Sequence, residues 1–210
     1  MPLFCANLSR MDRLVIATHN LKKGKEMVDI LTPAIPGLEV LTLSDFPGAP
    51  EPPETGMTYA ENARIKAQSA SAWTGEWALA DDAGLEIDYF DGAPGVWSKR
   101  FEGEDTSFQE KMRRILERMD GVPESERGAR FRCSIALAAS DDSTPLVFEA
   151  TCEGRIAMEP SGSGGFGYDP IFYLPDQGCT MADLTAHQKH AISHRGKVLR
   201  QFVEYLRTKR

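Results

Sequence analysis

The spacing of apolar and polar residues changes along this chain, and each change marks a predicted element. Residues 13–17 (RLVIA) form a short apolar run between polar neighbours, the pattern of a buried strand. Thr18-His19-Asn20 follows as a polar loop, with Asn20 placed to cap a helix over residues 21–31. Residues 42–56 are rich in Pro, Gly and acid and read as a loop. Thr58-x-x-Glu61 is a capping-box pattern that opens a further helix, and Gly75 closes it. A strand over residues 77–80 then runs into Asp81-Asp82. Residues 85–89 alternate apolar and acidic, as a half-exposed strand does, and Asp91-Gly92 supplies the turn. Residues 93–103 are irregular. Asp105 reads as the cap of a helix in which Phe108, Met112, Leu116 and Met119 share one face.

Beyond a polar loop at 121–128, Ala129, Phe131, Cys133, Ile135 and Leu137 alternate with Arg130, Arg132, Ser134 and Ala136. Leu146, Phe148, Ala150 and Cys152 alternate again after a turn at 141–144, so the two strands are expected to pair as an antiparallel hairpin. A glycine-rich loop at 161–168 and a short strand at 171–174 follow. A helical turn at 181–184 and residues 188–191 lead to a last helix over 196–207, with Leu199, Phe202, Val203 and Leu206 as its buried stripe. Ser193-His194-Arg195 stands directly before that helix. At residues 13–31, strand, polar loop and helix start follow in the order that presents backbone donors to a ligand in α/β proteins.

Bulk composition narrows the class. The chain has 210 residues and 41% hydrophobic content, which suits one large domain or two closely joined lobes with a real core. Its net charge of −7 disfavours long-range attraction to nucleic acid, though a local pocket can still hold a small anion. Cys5, Cys133, Cys152 and Cys179 form no CxxC pair and no His stands at zinc spacing. The plain reading is a reduced, cytoplasmic protein without a structural metal. No apolar run reaches the roughly 20 residues that span a membrane. Residues 1–12 lack the apolar stretch of a secretory signal and read as a flexible extension.

Four clusters carry candidate chemistry. Lys22, Lys23 and Lys25 crowd a helix start just after Thr18, His19 and Asn20, where the macrodipole makes positive charge unfavourable. A bound polyphosphate would offset that placement; a solvated helix face is the bland alternative. Asp81-Asp82 at a strand end, with Glu54 in an acidic loop before it, suits Mg2+ and offers a proton acceptor, against the alternative of an acidic turn. GSGGFGYD at 162–169 is neither a P-loop nor a dinucleotide fingerprint. Its glycines would let backbone approach a flat ligand under Phe166 or Tyr168, unless Phe166 simply packs in the core. Lys189 and Ser193-His194-Arg195 form an anion grip at a helix start, where His194 alone reads more readily as a packed histidine. Together the clusters offer cations for phosphates, carboxylates for a metal and an aromatic with polar groups for a base.

The segments ATHNLKKGKE at 17–26, TGMTYAENARIKA at 55–67, LADDAGLEID at 79–88, DGAPGVWSKRFEGED at 91–105, ARFRCSIAL at 129–137, GGFGYDPIF at 164–172 and KHAISHRGKVL at 189–199 closely resemble the Ham1-like inosine triphosphate pyrophosphatase family. The resemblance runs from about residue 13 to the C-terminus. It implies an α/β fold with an elongated mixed central β-sheet flanked by helices. Two lobes with a ligand cleft between them would make one catalytic domain over residues 13–210. It also implies Mg2+-dependent hydrolysis of ITP, dITP and XTP to monophosphate and pyrophosphate by a homodimer, with no nucleic-acid or membrane partner. Carried over by position, Thr18, His19, Asn20, Leu21, Lys22 and Lys23 would bind the triphosphate. Asp82 would bind Mg2+ and accept a proton, Asp81 would stand beside it, and Glu54 would be the second metal ligand. Phe166, Gly167, Tyr168, Asp169, Lys189, His194 and Arg195 would hold the base and sugar. Ala83 stands where the family usually has Ser, so only its backbone N–H is left as a substrate contact. The rival readings are a pyrophosphatase of the related Maf type, acting on other nucleotides, and a non-catalytic nucleotide sensor.

Overall fold

The structure, a computed structural model, describes residue 8 and residues 11–141 and 143–209. Among them, seven strands form one mixed sheet in the order β2-β1-β3-β4-β5-β6-β7. The strands are β1 (Arg13–Ile16), β2 (Glu39–Thr42), β3 (Trp77–Ile87), β4 (Gly128–Ala138), β5 (Leu146–Ile156), β6 (Phe172–Leu174) and β7 (Cys179–Thr180). The helices are α1 (Leu21–Ala34), α2 (Tyr59–Thr74), α3 (Phe108–Arg118), α4 (Ala186–Ile192) and α5 (His194–Arg207). Strand β1 pairs in parallel with β2 and with β3, while β6 runs antiparallel to β5 and to β7. The chain divides into two compact units, the first made of Met1–Asp82, Cys133–Ala150 and Arg195–Arg210, the second of Ala83–Arg132 and Thr151–His194.

In the first unit β1 and the parts of β3 and β4 that it contains are buried on both faces, while β2 is not. Residues 14–17, 78–82 and 133–138 are continuously buried, the pattern of strands with helices on either side. One face packs against α2. Ala63, Ala67 and Ala70 recur at helical spacing and meet Val15, Ala17, Ala78, Ala80, Ala136 and Ala138. Alanine on both surfaces lets the helix backbone come close to the sheet. The cap chemistry read from sequence is present: Asn20 Oδ1 accepts from Lys22 N and Lys23 N, Thr58 and Glu61 form a capping box, and Gly75 closes α2 in the left-handed conformation at φ 74°. Leu8 and Met11 are fully buried; the rest of the expected extension up to residue 10 lies outside the described residues.

The second unit has its own core. Leu85, Ile87, Met112, Ile115, Phe131, Ile156, Phe172 and Met181 cluster there. Here β4 does alternate, with Ala129 and Phe131 buried and Arg130 and Arg132 half-exposed. Arg127 is buried at the end of this core and donates to the carbonyls of Met119, Ile156 and Ala157.

Strands β2 and β7 were not expected, α1 runs on to Ala34, and three further boundaries that bear on the site differ from the expected ones. Strand β3 does not stop at Asp81-Asp82 but runs through both to Ile87, and Leu85 and Ile87 are fully buried. Two adjacent carboxylates read as a strand end only while their partners are unknown. Ser107, not Asp105, caps α3, because its side chain accepts from Glu110 N at 3.2 Å. The last helix begins at His194, with Ser193 serving as the end of α4, so His194 and Arg195 lie inside the first turn.

Candidate active site

Successive residues of a strand point to opposite faces. Ala78 and Ala80 face α2, so Asp82 does too, and Asp81 faces the other side with Leu79. The two neighbouring carboxylates therefore meet different partners, and in the first unit those partners set their chemistry.

Asp81 is met by two cations. Lys23 Nζ of α1 lies 3.2 Å from its Oδ2, and Arg195 of α5 reaches the same oxygen through Nε at 3.1 Å and Nη2 at 2.8 Å. Arg195 Nη1 donates to Glu26 Oε2 at 2.6 Å, which ties α5 back to α1. Burial alone would raise the Asp81 carboxyl, but Lys23 and then Arg195 outweigh it and hold the group well below the usual carboxylate range. Asp81 Oδ1 is buried and accepts no hydrogen bond. Cys133 lies on the same face, and burial pushes its thiol up to about 12, with Asp81 adding to the effect.

Asp82 is met by one cation and one amide. Lys66 Nζ is 2.9 Å from Asp82 Oδ1 and 3.0 Å from Glu54 Oε1, while Asn62 Nδ2 donates to Asp82 Oδ2 at 3.1 Å. Burial raises the Asp82 carboxyl above its ordinary value; Lys66 and Lys23 offset this only in part, and Glu54 adds to the rise. Lys66 moves up as well: burial would lower it, but Asp82, Asp81 and Glu54 outweigh burial. Glu54 and Asp82 thus converge on one positive charge. Two hard carboxylate oxygens turned to a common point fit a Mg2+ that completes its shell with water and phosphate. Among the described residues no three acidic, His or Cys side chains gather as a closed cage.

The loop before α1 holds the expected phosphate residues. Thr18 Oγ1 accepts from Asn20 N at 3.2 Å, and Asn20 takes up the N–H groups of Lys22 and Lys23, so part of that helix start is already capped. His19 Nε2 is 3.4 Å from Pro50 O. Leu21 and Lys22 are exposed, and Lys25 pairs with Asp29 on the same helix. Lys23 is the lysine of this group that turns to an acidic partner in the core.

The second unit holds the glycine-rich residues. Asp169 Oδ2 accepts from Lys189 Nζ at 2.7 Å and from Phe166 N at 2.8 Å, with Asp169 and Lys189 both buried. Lys189 Nζ stands 4.6 Å over the Phe166 ring. A Cβ on Gly165, at φ +68°, would come within 2.1 Å of Asp169 Oδ2, so the turn needs glycine there. Tyr168 is buried, its hydroxyl donates to Ser98 O at 2.9 Å, and Phe108 packs edge-on to its ring. His194 stacks on Phe131 at 4.8 Å. Gly167 is half-exposed, as is Ala83.

The expected residues therefore fall into two groups. Lys23, Glu54, Asp81, Asp82 and Arg195 come together in the first unit, and Phe166, Asp169 and Lys189 in the second. Arg195, expected at the base end, is instead bound to Asp81 and Glu26. Tyr168, expected there too, spends its hydroxyl on Ser98. Lys66 and Asn62 were missed. The available signal was their i, i+4 spacing on the helix that follows Glu54, which puts a cation and an amide on one face.

Comparisons with known proteins identify the family. A family model described as the Ham1 family matches residues 14–205. A dITP/XTP pyrophosphatase of Vibrio parahaemolyticus is 47% identical over 93% of this chain and 97% of its own. One from Geobacillus kaustophilus is 47% identical over 92% and 94%. Among solved structures, a HAM1 protein from Coxiella burnetii superposes with a TM-score of 0.84 at 41% identity, covering 94% of this chain and all of that one.

Proposed function

This chain belongs to the Ham1 family, and on that premise we propose that it hydrolyses dITP, ITP and XTP to the monophosphate and pyrophosphate, removing non-standard purines from the nucleotide pool. The observation that carries this reading is the division between Asp81 and Asp82. One carboxylate is neutralised by Lys23 and Arg195, while the other shares Lys66 with Glu54 and is pushed toward higher proton affinity. A carboxylate held ionised by two cations suits fixing those cations, and one of raised proton affinity suits accepting a proton.

Asp82 and Glu54 would hold Mg2+, which when bound supplies positive charge to the phosphate oxygens. Lys23, with Lys22 and the Thr18–Asn20 loop, would bind the triphosphate. Water attacks the α-phosphorus in line. Its proton passes to the Asp82 carboxylate, the bond to the α–β bridging oxygen breaks, and pyrophosphate leaves with that electron pair. Lys66, which contacts both carboxylates, favours the ionised form of Asp82 before the proton is taken. Asp81 does not take part in proton transfer; it fixes Lys23 and Arg195.

Phe166 and Lys189 would meet the purine, with Asp169 holding both in place. A donor facing the purine 6-oxygen would lose its partner on adenine, which presents an amino group there. Losses of that kind reach about 10⁴-fold in built sites. The proposal includes a single catalytic domain over residues 13–210, a homodimer and a cytoplasmic location, where free nucleotides are found.

A pyrophosphate-release assay across a nucleotide panel, with and without Mg2+, tests the reading. ITP, dITP and XTP should be turned over with Mg2+ and not after chelation. Faster turnover of dTTP or UTP, or release of orthophosphate in place of pyrophosphate, would overturn it.

A further inference from the structure

Asn is a poor helix former, because its short amide competes for nearby backbone groups. Asn62 nevertheless occupies the fourth position of α2, fully buried. A buried amide needs partners, and Asn62 has one on each side. Its Nδ2 donates to Asp82 Oδ2 at 3.1 Å and its Oδ1 accepts from Gly56 N at 2.8 Å.

Gly56 lies two residues beyond Glu54, in the segment that leads into α2. Glu61 Oε2 accepts from the next two backbone groups, Met57 N at 2.7 Å and Thr58 N at 3.2 Å. Three successive N–H groups are therefore fastened to the first turn of α2. The approach is close. A Cβ on Gly56 would stand 2.7 Å from Asn62 Oδ1, 2.9 Å from Asn62 N and 2.6 Å from Glu61 Cβ. Glycine at 56 and asparagine at 62 are matched to one another.

One amide thus acts on both carboxylates. It holds Asp82 Oδ2, which leaves Oδ1 as the oxygen turned toward Lys66 Nζ, and it holds the backbone that carries Glu54 to that same nitrogen. We propose that Asn62 is a positioning residue that sets the rotation of Asp82 and the place of the Glu54 loop together, so that the two carboxylates meet a divalent cation as a pair. The inference rests on the reading of Glu54 and Asp82 as its ligands.

Asn62→Ala and Gly56→Ala test it from opposite sides. The first removes the amide and improves helix propensity; the second leaves Asn62 in place and forces the loop away. Partners that orient metal ligands typically change metal affinity or activity by about 10–100-fold when lost. Each variant should bind Mn2+ at least about tenfold more weakly, as read by electron paramagnetic resonance on nucleotide-free protein. For ITP hydrolysis, kcat should fall about as much while the nucleotide KM stays within about twofold. The double variant should be no worse than the weaker single one, since both break one bridge. Mn2+ affinity and kcat within about twofold of wild type in Asn62→Ala would overturn the inference. So would strictly additive losses in the double variant. A wild type that binds Mn2+ but releases no pyrophosphate would instead overturn the nucleotide reading, and the Mn2+ comparison would still decide the role of Asn62.

Discussion

Replacing Asp81 and Asp82 one at a time by Asn should give very unequal effects on stability, although the residues are adjacent and the change is the same. Asp81 is fully enclosed with Lys23 Nζ at 3.2 Å and Arg195 Nη2 at 2.8 Å. At an effective dielectric near 20, each contact is worth about 5–6 kcal/mol before desolvation is subtracted. The net loss on removing one member of a buried pair is about 3–5 kcal/mol, because Lys23 loses its acidic partner and Arg195 keeps only Glu26. For a chain of this size that corresponds to a drop of roughly 6–20 °C in Tm. Asp82 differs, since burial raises its pKa and its cation keeps Glu54 as a partner. Asp82→Asn should therefore stay within about 1 kcal/mol of wild type while ITP turnover falls by at least about 100-fold. Urea denaturation in EDTA, followed by tryptophan fluorescence, measures both. The pH dependence has a definite sign. The folded Asp81 carboxyl is depressed, so its contribution is complete above the unfolded pKa of about 3.9 and is lost as pH falls toward the folded value. The gap between wild type and Asp81→Asn should be widest above about pH 5 and narrow below about pH 4. Equal stabilities at pH 7, or a larger loss in Asp82→Asn, would refute the division of roles.

Two further changes probe the second unit. Tyr168→Phe removes one buried hydrogen bond to Ser98 O and should cost about 1–2 kcal/mol in urea denaturation without changing the ratio of ITP to GTP turnover; a shifted ratio would put the hydroxyl on the base. Gly165→Ala drives a Cβ onto Asp169 Oδ2 at a positive φ and should destabilise by about 1–3 kcal/mol and raise the KM for ITP, which steady-state kinetics and a thermal melt would check together.

What the sequence disclosed was local. Asn20, Thr58 with Glu61, and Gly75 act within a few residues, so their cap chemistry is visible in the string, and all three are where it puts them. Strand β3 was cut short because Asp81 and Asp82 look like a stop until Lys23, Lys66 and Arg195 are brought to them from up to 114 residues away. Arg195 reads from sequence as part of an anion grip and the resemblance carries it to the base end, while nothing nearby in sequence announces Asp81 and Glu26. Residue type makes Asp105 read as the cap of α3, but the position of Glu110 N makes Ser107 the cap. The alternation of β4 was read correctly up to Arg132 and fails from Cys133 on, where helices cover both faces and every residue is buried.

The period of two in β3 turns a repeated residue into two functions. Because Ala78, Ala80 and Asp82 share the face that packs on α2, the carboxylate nearest to Glu54, Asn62 and Lys66 must be Asp82. Asp81 is then committed to the face of α1 and α5, where two cations hold it ionised and out of proton transfer. A shift of the strand by one residue would exchange the faces. It would put a carboxylate between Lys23 and Arg195 only by taking one from Lys66, and would turn Ala80 toward the cations. The alanine packing of α2 resists that slip, because Leu79 would then have to fit where Ala78 or Ala80 meets Ala63 and Ala67. Filling a close helix–sheet contact with three extra carbons costs about 1–3 kcal/mol or more. The small residues of the first unit therefore keep Asp82, and not Asp81, at the proposed metal and proton site.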